Sequence, residues 1–141
     1  DTVTVTTHVR ERLTTSDTVT QMVKGQDVIL VLRDANFDVG KSVLRAAARA
    51  TLDSLARELN RGAARSIALT ITGYTDSVGS EEYNLKLGMA RAESVQRYLA
   101  QHGVDASRMT ASSKGEADPV ATNSTAAGRQ LNRRVVIGRS Q

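Results

Sequence analysis

The chain has 141 residues and a net charge of +4, and its length is that of one ordinary globular domain. It contains no cysteine, which excludes disulfide scaffolds, thiol catalysis and cysteine-based zinc sites. Aromatic residues make up only 3% of the sequence, so the core must be aliphatic, and no apolar run approaches the roughly 18 residues of a membrane span. The basic residues are spread along the chain, which favours a mildly basic solvated surface over nucleic-acid binding.

The N-terminal part of the chain differs in pattern from the rest. Residues 1–25 are rich in Thr and Val and lack a helical stripe, so we predict an N-terminal arm, a linker or an edge strand there. Residues 26–141 are predicted to form the folded domain. Its first strand is indicated by the apolar run at 28–32, which is typical of a strand covered on both faces. Apolar positions at steps of three and four then predict a helix between Ser42 and Asn60, with Ser42 as its cap.

The remaining elements alternate between strand and helix patterns. In chain order, we predict a strand near 67–71 closed by Gly73, a helix over 81–101 stopped by Gly103, a strand at 108–113, a loop at 118–123, a short helix at 124–131 and a strand at 134–137. The order β-α-β-α-β-α-β predicts an α/β two-layer sandwich, in which one mixed sheet of about four strands carries its helices on one face. Parallel pairing is expected where a helix connects two strands.

Two charged residues are the strongest candidates for binding chemistry. Asp76 lies in a loop after the second strand, and loops at the carboxyl ends of strands are favoured ligand positions. Arg91 follows fifteen residues later, on the predicted buried stripe of the second long helix. A partly desolvated guanidinium needs an acceptor, and its fork suits a carboxylate. The pair could hold a ligand with an ammonium and a carboxylate, but an internal Asp76–Arg91 ion pair, or a turn or capping role for Asp76, stays open.

Short motifs in a fixed order carry a resemblance that covers nearly the whole chain from Val28 to Ile137. The matched motifs are Asn36-Phe37-Asp38, Gly73-Tyr74-Thr75-Asp76, Tyr83-Asn84, Leu87 with Arg91-Ala92, Gly103-Val104 with Arg108, Gly115-Glu116 with Pro119, Asn123, Gly128-Arg129 and Asn132-Arg133-Arg134-Val135. On these motifs the chain resembles the OmpA-like peptidoglycan-binding family, which includes the C-terminal domain of outer-membrane protein A, peptidoglycan-associated lipoprotein and the periplasmic part of MotB. The resemblance implies the fold of that domain.

The resemblance also implies roles for individual residues. It implies that Asp76 receives the ammonium and Arg91 the carboxylate at the free end of meso-diaminopimelate in the peptidoglycan stem peptide. The other residues that match binding positions of the family are Phe37 and Asp38 in the first binding loop, Thr75, Asn84 and Leu87 along the pocket, and Arg133 as a second positive group.

Each of these residues also has a purely structural interpretation. Phe37 and Leu87 suit core packing, Asp38 suits a turn, and Asn84 suits a brace for the loop. Arg133 and Arg134 alternate across a strand, so one of them is expected to be solvated. Arg129, Asn132, His8 and His102 are expected to have structural or surface roles.

Three positions depart from the family pattern. Tyr74 stands where a His is common, Gly88 where a Ser is common and Ser113 where a Gly often occurs. A glycine inside a helix costs about 1 kcal/mol relative to alanine, so Gly88 indicates close packing or backbone contact at that turn. None of the three removes a charge from the predicted site.

Together these features predict a non-enzymatic module, without cofactor or metal, that anchors an outer-membrane or envelope assembly of a Gram-negative bacterium to the cell wall from the periplasm. The sequence shows no set of nucleophile and base. Peptidoglycan of the diaminopimelate type is the expected partner, with membrane contact only through an upstream segment and no nucleic acid. A homodimer stays open, as do loss of wall binding in favour of protein interaction or dimerisation, and binding of a different zwitterion or an anionic glycan.

Overall fold

The computed structural model describes residues 18–19, 27–37 and 41–140. The strands are β1 (Thr18–Val19), β2 (Asp27–Arg33), β3 (Leu69–Tyr74), β4 (Met109–Gly115) and β5 (Arg134–Arg139), and the helices are α1 (Ala46–Leu59), α2 (Glu81–Gln101) and α3 (Ala126–Asn132). Three-residue and five-residue 3₁₀ turns occupy Asp34–Asn36, Gly62–Ser66 and Ala106–Arg108. The predicted order of strands and helices is confirmed. Apart from β1, the predicted N-terminal arm lies outside the described residues, and so does Asp38.

The sheet is mixed, with the strand order β1-β2-β5-β3-β4. The four longer strands form the predicted sheet, and the two-residue β1 extends it at one edge. β5 pairs antiparallel with both β2 and β3, whereas β3 and β4 pair in parallel across α2. Parallel pairing of helix-connected strands therefore holds only for β3 and β4, because β5 lies between β2 and β3.

The core lies between the sheet and the long helices. Most of its large buried side chains come from β2, β3, β5, α1 and α2, and they include Leu30, Leu32, Leu52, Leu55, Leu59, Leu69, Ile71, Leu99 and Ile137. Val28, Val31 and Val136 form a second buried cluster with Tyr74. Because β2 contributes to both clusters, the prediction that this strand is buried on both faces is confirmed. Within the described part of the chain, the helices are too short or too polar to cross a bilayer.

Helix boundaries follow local capping where a cap is present. α2 spans the predicted residues, and the side chain of Ser80 caps it by accepting a hydrogen bond of 3.0 Å from the backbone N–H of Tyr83. α1 begins later than predicted, at Ala46, and the expected cap at Ser42 is wrong. The backbone N–H of Arg45 donates instead to the carbonyl of Asn36 at 2.9 Å, which holds the preceding residues outside the helix.

Candidate functional site

At one end of the sheet, two strands end beside the start of the strand that lies between them. Arg33 at the end of β2 and Tyr74 at the end of β3 are both in register with Arg134, the first residue of β5. Asp34 therefore lies just beyond β2, and Asp76 lies just beyond β3. Arg133 precedes β5 at the same end of the sheet. Because β5 runs antiparallel between the other two strands, its start and their ends bring charged residues from distant parts of the chain together.

Three of these residues and Arg91 of α2 form a chain of alternating charges, which we call the four-charge cluster: Arg91, Asp34, Arg133 and Asp76. Arg91 Nη1 lies 3.1 Å from Asp34 Oδ1, and Arg133 Nε lies 3.2 Å from Asp34 Oδ2. Arg133 Nη1 donates to Asp76 Oδ2 at 2.6 Å. Asp76 and Arg91, the two residues singled out by the sequence, thus belong to one cluster, but each has a different partner. The structure does not show the direct ion pair between them that the sequence left open.

Arg91 is a buried cation, with only 1% of its surface exposed. Its Nε donates to the carbonyl of Lys41 at 2.8 Å, and its guanidinium lies 4.8 Å from the centre of the Phe37 ring, within cation–π range. Burial lowers the pKa of Arg91, and the nearby Asp34 carboxylate opposes that shift. An arginine side chain nevertheless stays protonated in proteins. The structure therefore maintains a positive charge in a largely dry position.

Hydrogen bonding around Arg91 is incomplete. Although Arg91 Nη1 and Asp34 Oδ1 are 3.1 Å apart, they are not aligned as donor and acceptor, and both are buried without a hydrogen-bond partner in the described part of the chain. A buried polar atom without a hydrogen bond costs about 1–3 kcal/mol, so such atoms need an explanation. Here the unpaired donor and acceptor belong to the same charged pair.

Arg133 lies on the more open side of the four-charge cluster. Its side chain is 29% exposed, compared with 2% for that of Arg91. Burial by itself lowers the pKa of Arg133, but the hydrogen bond to Asp76 and the charge of Asp34 outweigh burial and raise the pKa above its ordinary value. The two carboxylates therefore favour the charged form of Arg133. Arg133 is a second positive group beside Arg91 in the four-charge cluster, and its role in ligand binding stays a prediction.

The loop after β3 is held by short local contacts. Asp76 Oδ1 accepts a hydrogen bond of 2.9 Å from the N–H of Val78, and Thr75 Oγ1 donates to the carbonyl of Asp76 at 2.9 Å. Asn84 on α2 donates from Nδ2 to the carbonyls of Val78, at 3.0 Å, and of Asp76, at 3.3 Å. Asp76 therefore does serve a turn, and it still directs its other carboxylate oxygen to Arg133. Asn84 ties the loop to the helix that carries Arg91.

Replacing Asn84 with Ala should loosen this loop. The substitution removes a buried donor and leaves two carbonyls with one partner fewer, so we expect the free energy of unfolding to fall by about 1–2 kcal/mol. Urea denaturation measures that loss, and faster hydrogen exchange at the Val78 amide would place it in the loop. An unchanged exchange rate at Val78 would contradict the bracing role. Ala90→Ser, on the same helix, is the control for an unrelated small change.

A contact between three small residues fixes the distance between α2 and the sheet. A Cβ atom on Gly73 would overlap the backbone carbonyl of Gly88, and a Cβ atom on Gly88 would overlap Ser113 Oγ and lie 3.0 Å from the Gly73 carbonyl oxygen. The predicted close packing at Gly88 is confirmed. The hydroxyl beside Gly88 belongs to Ser113 of β4. The pattern common in the family has a Ser on the helix and a Gly on the strand, so the two departures, Gly88 and Ser113, compensate each other sterically. Gly73 is three residues before Asp76, and Gly88 is three residues before Arg91, so this contact helps to set their separation.

The structure places the other predicted site residues as follows. Phe37 is fully buried in the core, and its ring also lies against the Arg91 guanidinium, so it packs in the core and borders the four-charge cluster. Leu87 is half-buried, and Thr75 is buried at the base of the loop. Asp38, the remaining predicted residue, lies outside the described part of the chain.

The expectation that one of the two consecutive arginines is solvated is wrong. Arg134 is buried, and its guanidinium stacks 3.8 Å from the centre of the Tyr74 ring. Arg134 also donates to the carbonyls of Asn132, at 3.1 Å, and of Asp118, at 3.0 Å. Burial lowers the pKa of Arg134. Arg133 is half-buried in the four-charge cluster, so the structure gives both side chains specific partners.

Residues expected to be structural have structural contacts. Asn132 is fully buried and accepts hydrogen bonds from the N–H groups of Val120, at 2.8 Å, and Ala121, at 3.0 Å, which fixes the loop before α3. His102 lies 3.4 Å from Asp53 and stacks on Tyr98. An open groove beside these last residues contains no member of the four-charge cluster; its lining is Asp53, Ala56, Arg57, Glu58, Asn60, Arg61 and His102. Across the described ranges, His, Asp and Glu side chains nowhere gather in a group suited to a metal ion.

Asp34 is the site residue that sequence reasoning missed. It contacts both arginines of the four-charge cluster, yet it lies outside the motifs that drew attention to Asp76 and Arg91. One signal was present: an acidic residue directly after a buried strand stands at the same kind of position as Asp76 after β3. The sequence does not reveal that β2 and β3 end on either side of the start of β5.

Comparisons with known proteins agree with the motif pattern. A model of the OmpA family matches residues 36–133. Outer membrane protein A of Bordetella avium is 46% identical over 107 residues, covering 74% of this chain and 53% of that protein. The chain spans about half the length of the first curated relatives it matches.

Two solved structures show the same architecture. The peptidoglycan-associated lipoprotein from Burkholderia pseudomallei aligns with a TM-score of 0.69 at 34% identity, covering 74% of this chain and 87% of that chain. The cell wall anchor of the T6SS from Pseudomonas aeruginosa aligns with a TM-score of 0.74 at 26% identity, covering 96% of this chain and 95% of that chain.

Proposed function

The chain belongs to the OmpA family, and from this premise we propose that residues 26–141 form a module that binds peptidoglycan without covalent chemistry and anchors an envelope assembly to the cell wall. Its relatives carry the names of outer membrane proteins, and aligned structures are named as a peptidoglycan-associated lipoprotein and a cell wall anchor. These names support a position in the periplasm of a Gram-negative bacterium. They also support binding rather than catalysis as the role of the domain.

The ligand we propose is the free end of meso-diaminopimelate in the stem peptide. Its ammonium and carboxylate require one negative and one positive group a short distance apart. The observation that carries this proposal is the four-charge cluster, where two guanidinium groups and two carboxylates meet at distances of 2.6–3.2 Å and Arg133 is partly exposed. The proposed partner of the ligand carboxylate is the Arg91 guanidinium, in a site where a charge-assisted hydrogen bond is strong.

Asp76 is the proposed acceptor for the ligand ammonium. A carboxylate has about four lone-pair sites, so the bonds that Asp76 accepts from Val78 and Arg133 leave room for a further donor. Arg133, at the open side, would contribute a second positive charge for the ligand carboxylate. The remaining residues proposed to line or orient the site are Phe37, Asp38, Thr75, Asn84 and Leu87.

The chemistry of the wall provides a direct test. Walls that contain lysine in place of diaminopimelate keep the side-chain ammonium and lack the second carboxylate, so Arg91 would lose its ligand partner. We expect binding to such walls to be weaker by roughly ten- to a hundredfold, which is the effect of about 1.5–3 kcal/mol for one charge-assisted contact. Co-sedimentation with purified sacculi of the two types, over a range of protein concentrations, measures the difference.

The same experiment separates the alternatives. Equal affinity for both wall types would refute the proposed ligand while leaving wall binding intact. Absence of binding to either type would refute wall anchoring itself and favour a domain that serves protein interaction or dimerisation.

Binding should also persist at moderate salt, because the Arg91 contact is shielded from solvent and is screened less than a surface charge.

A further inference from the structure

Asp34 occupies the centre of the four-charge cluster, between the two arginines. We propose that Asp34 is a specificity-determining residue, whose charge makes the empty cluster neutral and so favours a zwitterionic group over a simple anion. This inference rests on the proposed function, because it concerns the selectivity of the same site. It adds a residue to which the ligand-binding motifs of the sequence assign no role.

The contacts of Asp34 support a role beyond simple packing. Oδ1 lies 3.1 Å from Arg91 Nη1, and Oδ2 lies 3.2 Å from Arg133 Nε, so one carboxylate serves both cations. The Asp34 side chain is 20% exposed and thus reaches the solvent side of the cluster. A ligand that approaches Arg91 or Arg133 therefore comes close to the negative charge of Asp34.

Charge counting shows what this position does. Arg91 and Arg133 contribute two positive charges, and Asp34 and Asp76 contribute two negative charges, so the four-charge cluster is neutral. A group with one ammonium and one carboxylate is also neutral and leaves the occupied site balanced. A carboxylate alone would add an uncompensated negative charge beside two others in a partly dry site, where charges interact more strongly than in water. Without Asp34, the site would carry one net positive charge and would accept that anion more readily.

The poor alignment of the Asp34–Arg91 pair fits the same role. Asp34 neutralises the buried guanidinium through its charge, but it does not use the Nη1 donor in a hydrogen bond. Asp34 therefore acts on the cation chiefly through its charge, which is the property that the proposed selectivity requires.

Two stem peptides test the inference. One contains meso-diaminopimelate, and the other contains 2-aminopimelate, which keeps the distal carboxylate but lacks the distal ammonium. Titration calorimetry at low salt gives the ratio of their affinities for the wild-type protein and for Asp34→Asn. We expect the preference for the zwitterionic peptide to fall by roughly tenfold or more in the variant, the size of one charge-assisted contact. Glu82→Gln, an exposed site on α2, is the control for the same change in net charge.

A second variant guards against a loss of stability at Asp34, since removing its charge leaves a buried cation with one carboxylate fewer. Thermal denaturation reports whether Asp34→Asn is folded at the temperature of titration. The double variant Asp34→Asn/Arg133→Gln has one positive and one negative charge, so the cluster is neutral again. We expect it to recover most of the preference for the zwitterionic peptide, even where both absolute affinities are reduced.

The outcomes are distinguishable. If the wild-type protein binds the diaminopimelate peptide and Asp34→Asn keeps the wild-type ratio of affinities, the role of Asp34 is overturned and the proposed function stands. The role of Asp34 is also overturned, and the proposed function stands, if the double variant has no greater preference for the zwitterion than Asp34→Asn alone. If the wild-type protein binds neither peptide, the proposed ligand fails and this inference fails with it.

Discussion

Asp76→Asn and Arg91→Gln are each expected to abolish retention on diaminopimelate-type sacculi at protein concentrations where the wild-type chain is retained. Each substitution removes one charge of the proposed site; Asn has the same length as Asp, and Gln keeps a shorter polar side chain in place of Arg. The loss of one charge-assisted contact should weaken binding by roughly ten- to a hundredfold. Asn at position 76 can still accept the hydrogen bond from Val78, so the loop should keep its turn.

The controls for this prediction come from the same helix. Arg97→Gln removes an exposed arginine of α2 whose guanidinium donates to Ser94 Oγ at 3.5 Å, and Glu82→Gln removes an exposed carboxylate. Neither control should change retention. Because Arg91 is buried, its variant should also be compared by thermal denaturation, and Arg91→Lys should retain the charge while losing the bidentate fork. Wild-type affinity in both Asp76→Asn and Arg91→Gln would refute the proposed site.

The second large effect is expected at the contact between α2 and the sheet. Gly88→Ser restores the residue common in the family, yet it should destabilise this chain by about 1–3 kcal/mol, because its Cβ atom would overlap Ser113 Oγ. The double variant Gly88→Ser/Ser113→Gly places the hydroxyl on α2 and a glycine on β4. We expect the double variant to recover part of the lost free energy of unfolding, because a Cβ atom at position 88 would still lie 3.0 Å from the Gly73 carbonyl oxygen.

A double-mutant cycle measures this coupling. Urea denaturation of the wild type, both single variants and the double variant should give an interaction energy of about 1 kcal/mol or more, as expected for side chains in contact. Ala100→Ser, at an exposed position of α2, is the control for adding a hydroxyl to the helix. Additive effects of Gly88→Ser and Ser113→Gly would contradict the proposed steric coupling between the two positions.

The sequence predicted those features of the fold that depend on interactions between residues close together in the chain. The end of α2 was predicted from Gly103, which has a φ of +98° that favours glycine, and the cap at Ser80 is a local feature of the same kind at its start. The order of strands and helices followed from the period of the apolar residues. Ser42 was a wrong cap because a tertiary contact, the bond from Arg45 to the Asn36 carbonyl, holds that segment outside α1.

The sequence by itself determined the alternation of elements, the family resemblance and the two charges, Asp76 and Arg91, that the proposed site needs. Only the tertiary structure decided which groups those charges meet. β5 lies between β2 and β3 and pairs with both, and this long-range arrangement brings Asp34 and Arg133 to the same end of the sheet. Strand order depends on pairings between residues about a hundred positions apart, and the local pattern of a chain does not contain that information.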